Sequence, residues 1–442
     1  MTTKRWTLAT LTVALLATTG APARQAAPRP APQPALRGAQ TASSLLPQTQ
    51  ALYDGYVRAR KMPGIVGAFG LGDLPTAFVA AGAISLDPGA PAAGPDSLWR
   101  IYSMTKPVTG MAAMLLVEDG RLSLDDPLSK YFPAFAKMRV LTSPDTTLDT
   151  RPAKKPITLR ELMTHTSGIG YQINAKGPLL KEYERLGLVP ATVNAQVEAQ
   201  ARRARPASLA AFAERVAQAP LVAEPGTKWH YSMGLDVLAA VVEKASGMSF
   251  ERFVQTRLFA PLRMTSTFWQ VPPRDVARFA SNYVFVEDDL SPLDPAARSP
   301  WLQPPSFPYG GAGLVSSARD YDRFLHMLQN YGMLDGARVM KEDTARLAMS
   351  NLMPAGVTFE SDGQQRGFGA GGVVYLADDP AGASKGSYGW AGAAGTLAIV
   401  DPVRRFRSTI MVNYFPAEKW PLARETFAAI RGDAARLHGG MR

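Results

Sequence analysis

Apolar residues change their spacing several times along this chain. From 47 to 61 they recur every three or four positions, which predicts an amphipathic helix. The runs 65–69 and 77–81 are short and apolar, with the turn pair Gly72-Asp73 between them, and predict two paired strands. Residues 98–102 read as a further strand leading into 107–116, where the apolar spacing predicts a buried helix with Ser103 in its first turn. Gly120 and the acidic turn up to Pro127 end that helix. From there to about residue 290, helical segments alternate with Pro/Gly turns. In one of them, 158–165, Thr158 and Glu161 have capping-box spacing. The last third shortens its period: 367–376, 387–400 and 406–415 read as strands, and 420–438 as a closing helix. Strands at both ends with helices between predict an α+β fold. Its antiparallel sheet is drawn from both ends of the chain and flanked by helices, with a mostly helical insertion at about 107–300. A cleft between sheet and insertion is where a pocket is expected.

The N-terminus does not fit that domain. Lys4 and Arg5 precede the apolar run 6–17, and Ala21-Pro22-Ala23 follows as a small-x-small cleavage site. The run is short for a bilayer span. Residues 1–23 therefore read as a secretory signal cut after Ala23, residues 24–45 as a disordered Pro/Ala-rich tether, and 46–442 as the folded domain. The expected location is periplasmic or secreted, with no membrane span in the mature chain. The sequence holds no cysteine, which excludes disulfides, thiolate metal sites and cysteine nucleophiles. The net charge of +11 raises nucleic acid as a partner, but the arginines are dispersed. The one cluster, Arg202, Arg203 and Arg205, lies in an Ala-rich stretch near Glu198 and Glu214 and reads as a solvated helix face. His165, His230, His326 and His438 show no metal spacing. No metal, cofactor or nucleic acid is expected, and the oligomeric state stays open.

The chemistry gathers around Ser103-Met104-Thr105-Lys106. Residues three apart share a helix face, so Lys106 can place its amine beside the Ser103 hydroxyl. A serine is a weak nucleophile until a base takes its proton, and the free N–H groups of a helix N-terminus suit a developing oxyanion. Tyr231-Ser232-Met233 precedes another helical run, and a tyrosine there can aim its phenol into a cleft, where a neighbouring cation favours the phenolate. Late in the chain, Trp390-Ala391-Gly392 lies in a strand pattern whose glycines allow close approach of a ligand backbone. Gly382-Ala383-Ser384-Lys385-Gly386 has the Gly-x-Ser-x-Gly form, but a strand-like run follows it where that motif needs a helix, so Ser384 reads as a loop residue.

Ser-x-x-Lys, then Tyr-Ser-x, then a small-residue triplet resembles the serine β-lactamase and penicillin-binding-protein superfamily, closest to its class C and family VIII carboxylesterase branch. Supporting stretches are His165-Thr166-Ser167-Gly168, Glu224-Pro225-Gly226 and the Gly310–Ser317 run, and the likeness covers about 46–435. The resemblance implies a β-lactamase/transpeptidase-like fold. It implies Ser103 as acylated nucleophile, Lys106 as its activator, Tyr231 as main general base, and the N–H groups of Ser103 and Ala393 as oxyanion hole. Trp390, Ala391, Gly392 and Met233 would contact substrate. The lactam-active members carry an asparagine where Met233 stands, and a lysine or histidine followed by threonine where Trp390 and Ala391 stand. A site built to pair a carboxylate or amide loses heavily without those partners. The expectation is an exported serine hydrolase acting on neutral carboxylic esters. A β-lactamase or D-alanyl-D-alanine carboxypeptidase is the alternative, and a non-catalytic binding protein on the same fold the second.

Overall fold

The computed structural model describes residues 45–361 and 363–439. The expected signal, 1–23, and the tether, 24–45, fall outside it except for Leu45. Eight strands form the main sheet: β1 (Gly64–Leu71), β2 (Ala77–Gly82), β3 (Phe359–Ser361), β4 (Gln364–Phe368), β5 (Val373–Tyr375), β6 (Tyr388–Ala391), β7 (Leu397–Asp401) and β8 (Phe406–Met411). Their spatial order is β3-β4-β5-β6-β7-β8-β1-β2, antiparallel throughout. The pairing of β1 with β8, from Val66 opposite Met411 to Leu71 opposite Phe406, joins the two ends of the chain.

Strand β1 is buried on both faces, which is why it reads as a continuous apolar run rather than an alternating one. Val66 and Ala68 face the core that holds the helices Thr105–Glu118 and Gly234–Ser246. Ile65 and Phe69 face a second core, under the helices Pro47–Arg58 and Leu422–Gly439. Those two end helices are fastened together. The fully buried Asp433 carboxylate accepts from the N–H groups of Gln48 and Thr49 at 2.9 and 3.0 Å and from Thr49 Oγ1 at 2.8 Å. Two free N–H groups at a helix start are thus capped by a side chain from the other end of the chain.

The expected strands at the C-terminal end are real but interrupted. Run 367–376 is broken by Gly369-Ala370-Gly371-Gly372, and 387–400 by the turn 392–396. Run 406–415 ends at Met411, after which Tyr414–Phe415 pairs in parallel with Asn282–Val286. These turns are made of small and apolar residues, so hydrophobicity does not mark them. The region after the nucleophile helix also holds short strand pairs among its helices, Arg139–Leu141 with Thr150–Pro152 and Asn282–Val286 with Asp289–Asp294. The Arg202 cluster is not one solvated face. Arg205 is buried, paired with Glu198 at 2.8 Å and bonded to the carbonyls of Val189 and Ala191. Among the described residues no helix is long and apolar enough to cross a membrane.

Candidate active site

The strand Leu98–Arg100 pairs with Val315–Ser317 and delivers the chain to Ser103. Arg100 is fully buried against Asp294 at 2.6 Å and donates to Ala280 O and Ser299 Oγ. Tyr102 then takes a left-handed backbone, φ +42°, unusual for a bulky residue. Its ring is held edge-on by Trp301 and Phe415, and its hydroxyl accepts from Asn282 Nδ2 at 3.0 Å. A backbone in that region persists only where its surroundings over-determine it. Ser103 lies in the single 3-10 turn Tyr102–Met104, one step before the helix Thr105–Glu118 rather than in its first turn. The Ser103–Lys106 relation survives because the 3-10 turn runs directly into the helix, and residues three apart share a face across the junction. The helix packs tightly on the turn after β4: a Cβ on Gly110 would lie 2.0 Å from Ala370 O.

Lys106 is fully buried and donates to Ser103 Oγ at 3.2 Å and to Gly311 O at 2.7 Å. Tyr231 sits just ahead of the helix Gly234–Ser246, and its hydroxyl donates to Ser103 Oγ at 2.7 Å. Trp390 Nε1 donates to the same phenol oxygen at 3.3 Å, and the Lys106 ammonium lies 4.7 Å from the Tyr231 ring centre. Amine and phenol thus both lie within proton-transfer distance of the Ser103 hydroxyl, although Tyr231 is 128 residues from Ser103.

His165 follows the short helix Leu159–Met163, whose Thr158/Glu161 capping box is formed as expected. Its Nδ1 accepts from Ser232 N at 3.1 Å and lies 2.8 Å from Ser232 Oγ. Complete burial, reinforced by the Lys106 charge, holds its pKa well below the usual histidine value, so the ring is neutral. It braces the segment carrying Tyr231, with the two rings 4.7 Å apart, and makes no bond to Ser103.

At the end of β6, Trp390 is partly exposed beside Tyr231, and Ala391 is exposed. Gly392 opens the turn instead of continuing the strand, and a Cβ there would lie 2.4 Å from Ile101 O, so this turn abuts the chain just before the serine. Ala393 is exposed on the same turn. Among the described residues, the N–H groups of Ser103 and Ala393 make no intramolecular hydrogen bond. Met233 does not reach the site: it is fully buried in the core, where it starts the helix Gly234–Ser246, and its side chain has no surface to offer a substrate. Ser384 lies in the loop between β5 and β6, its N–H bonded to Asp401 at 2.9 Å.

Three neighbours lie outside the expected site residues. Tyr171 lies 5.5 Å from Tyr231, ring to ring. Gly311 supplies the acceptor for Lys106. Asp236, fully buried, accepts from Gly311 N at 2.8 Å, and burial pushes its pKa up to about 7 against the pull of Lys106. The one signal for it is a single acid in the first turn of an otherwise apolar helix, 235–242. Beyond Tyr231 the wall is aromatic. Trp229 stacks on Phe359 at 4.2 Å, and Phe368 meets Trp390 edge-on at 5.2 Å.

The family profile described as Beta-lactamase matches residues 49–430. The chain belongs to the beta-lactamase family. Esterase EstB of Burkholderia gladioli is 31% identical over 84% of this chain and 91% of its own length. Protein Rv1367c of Mycobacterium tuberculosis is 32% identical over 76% of this chain and 82% of its own. Among solved structures, "EstCE1, a hydrolase with promiscuous acyltransferase activity" superposes with a TM-score of 0.72 at 24% identity, covering 88% of this chain and 99% of that one. The fold is therefore the β-lactamase/transpeptidase-like one, and this member of the beta-lactamase family is a serine hydrolase.

Proposed function

We propose that the chain is an exported hydrolase of carboxylic esters that works through an acyl-enzyme on Ser103. The observation that carries this reading is the approach of two proton-handling groups to one hydroxyl: Tyr231 at 2.7 Å and Lys106 at 3.2 Å from Ser103 Oγ. The Lys106 ammonium, 4.7 Å from the Tyr231 ring centre, offsets negative charge that gathers at the site during proton transfer. Tyr231 as phenolate takes the Ser103 proton while Oγ attacks the ester carbonyl. The unpaired N–H groups of Ser103 and Ala393 receive the oxyanion. The proton passes from Tyr231 to the departing alkoxide, the C–O bond breaks, and the acyl group stays on Ser103. Water, activated by the same phenolate, then releases the acid and restores the serine.

A neutral, partly apolar substrate is supported by what surrounds the serine. Trp390, Ala391 and Gly392 offer no cation for a substrate carboxylate, and the neighbouring wall of Trp229, Phe359 and Phe368 is aromatic. This weighs against penicillins and D-alanyl peptides. Acyl transfer is the second reading. An alcohol held against the aromatic wall would take the acyl group in place of water. The structural neighbour EstCE1 is itself described as a hydrolase with promiscuous acyltransferase activity. Export rests on the leader-like residues 1–23.

Labelling with a fluorophosphonate and locating the adduct by peptide mass tests the assignment. Expected is an adduct on Ser103, an ester burst with p-nitrophenyl acetate, and nitrocefin turnover no higher than that of Ser103→Ala. An adduct on Ser384 refutes the acyl-enzyme reading, and the absence of both burst and adduct identifies an idle member of the fold.

A further inference from the structure

Lys106 has no carboxylate within ion-pairing distance among the described residues, although it is fully buried. The groups it touches include no carboxylate: Ser103 Oγ, Gly311 O, and the faces of Tyr231 and Tyr171 with ring centres at 4.7 and 5.7 Å. An isolated buried ammonium is costly. The acid that acts on it is Asp236, one residue further out. Asp236 Oδ1 accepts from Gly311 N, Lys106 donates to Gly311 O, and the other carboxylate oxygen, Oδ2, is buried with no hydrogen-bond partner. Gly311 must be glycine for this approach, since a Cβ there would lie 2.6 Å from Oδ2. The next residue back, Gly310, packs on the first turn of the same helix, and its carbonyl accepts from Thr109 Oγ1 at 2.6 Å. A single carboxylate thus fastens the 310–311 loop to the tyrosine helix, and that loop carries acceptors for two residues of the nucleophile helix.

We infer that Asp236 is a positioning residue for the reaction. It is the buried counter-charge of Lys106, acting across Gly311, and it fixes the ammonium over Ser103. This rests on the acyl-enzyme reading above. Its role is electrical as well as mechanical, because a neutral acceptor would hold the loop equally well. The groups facing Asp236 are the Lys106 ammonium, the Tyr171 phenol and the N–H groups of Gly310 and Gly311; Tyr231 and the neutral His165 face Lys106 from the other side. The proton moved during the reaction passes beside this carboxylate, so removing its negative charge makes the site a weaker base.

The test is Asp236→Asn, which keeps the acceptor and the shape. The readouts are the rate of Ser103 phosphonylation and kcat/KM for p-nitrophenyl butyrate, each against pH. Expected is a plateau about tenfold lower, with the acid limb displaced by about one pH unit to lower pH, the size of a single-charge effect at short range. A plateau that falls while the limb stays would mean a loosened loop and would overturn the counter-charge. A profile identical to that of the wild type overturns the whole inference. If the asparagine chain does not fold, Asp236→Ser makes the same comparison in a smaller volume. Failure of the underlying reading looks different: the wild-type Ser103 itself would take no label.

Discussion

Tyr231→Phe separates chemistry from packing at this site. The ring is held by four aromatic neighbours, His165, Tyr171, Trp229 and Trp390, with centres 4.7 to 6.0 Å away. Phenylalanine keeps all four contacts. What is lost is one oxygen, which donates to Ser103 at 2.7 Å and accepts from Trp390 at 3.3 Å. Because Tyr231 is only partly buried, water can reach the groups left behind, and the net cost to stability is about 1 kcal/mol. A positioned general base contributes about 10²- to 10⁴-fold, or roughly 3–5 kcal/mol of barrier. The two effects differ enough to be told apart. Thermal melting and kcat/KM for p-nitrophenyl butyrate should be measured on the same preparation, with the phosphonylation rate of Ser103 beside them. Expected is a nearly unchanged melt, an acylation rate down by about a hundredfold or more, and little change in KM. If kcat/KM stays within about threefold of wild type, under 1 kcal/mol of barrier, Tyr231 is not the base and the proton route assigned to it is wrong.

Three further outcomes follow from packing and charge. Asp236 has its pKa raised from the usual 3.8 to about 7 by burial, so the stability tied to this group is complete below about pH 4 and is lost as pH climbs through 7, by on the order of 4 kcal/mol. Asp236→Asn should therefore melt above wild type near pH 8, with the gap narrowing toward about pH 4; equal gaps at both ends would contradict this. Gly110→Ala should destabilise by about 1–3 kcal/mol in urea melts, because its Cβ would sit 2.0 Å from Ala370 O and this outweighs the better helix propensity of alanine. Asp294→Ala leaves Arg100 buried without its acid and should cost about 3–5 kcal/mol, read as a lowered melting temperature; a shift typical of a surface substitution would show the pair to be replaceable.

The part of this architecture that shows in one dimension is the part written in local spacing. The Thr158/Glu161 cap, the strands at either end and the helix after Ser103 all follow from periodicity and short-range chemistry. Ser103 and Lys106 are legible together because one turn places them. Tyr231 is legible only through its resemblance to a family pattern, since no spacing rule connects it to Ser103. The misreadings share a cause. The 369–372 and 392–396 turns are built from residues as small or apolar as the strands around them. Met233 stands two residues from Tyr231, yet the chain turns between them and sends one side chain to the site and the other to the core. Arg205 reads as solvated because its acceptors, the carbonyls of Val189 and Ala191, carry no mark in the sequence. Asp236 is hidden in the same way, as a charge whose purpose depends on a loop 75 residues later.

The register that couples Val66 to Met411 has a bearing on how such a molecule is made. A ribosome releases Phe406–Met411 long after its partner, Gly64–Leu71. Throughout that interval the first strand lacks the neighbour that covers one of its edges, and contacts so distant along the polymer form slowly. A sheet whose first strand waits for so distant a partner keeps that edge uncovered for as long as the intervening polymer is being extended, and the molecule cannot lock its central layer by local folding alone.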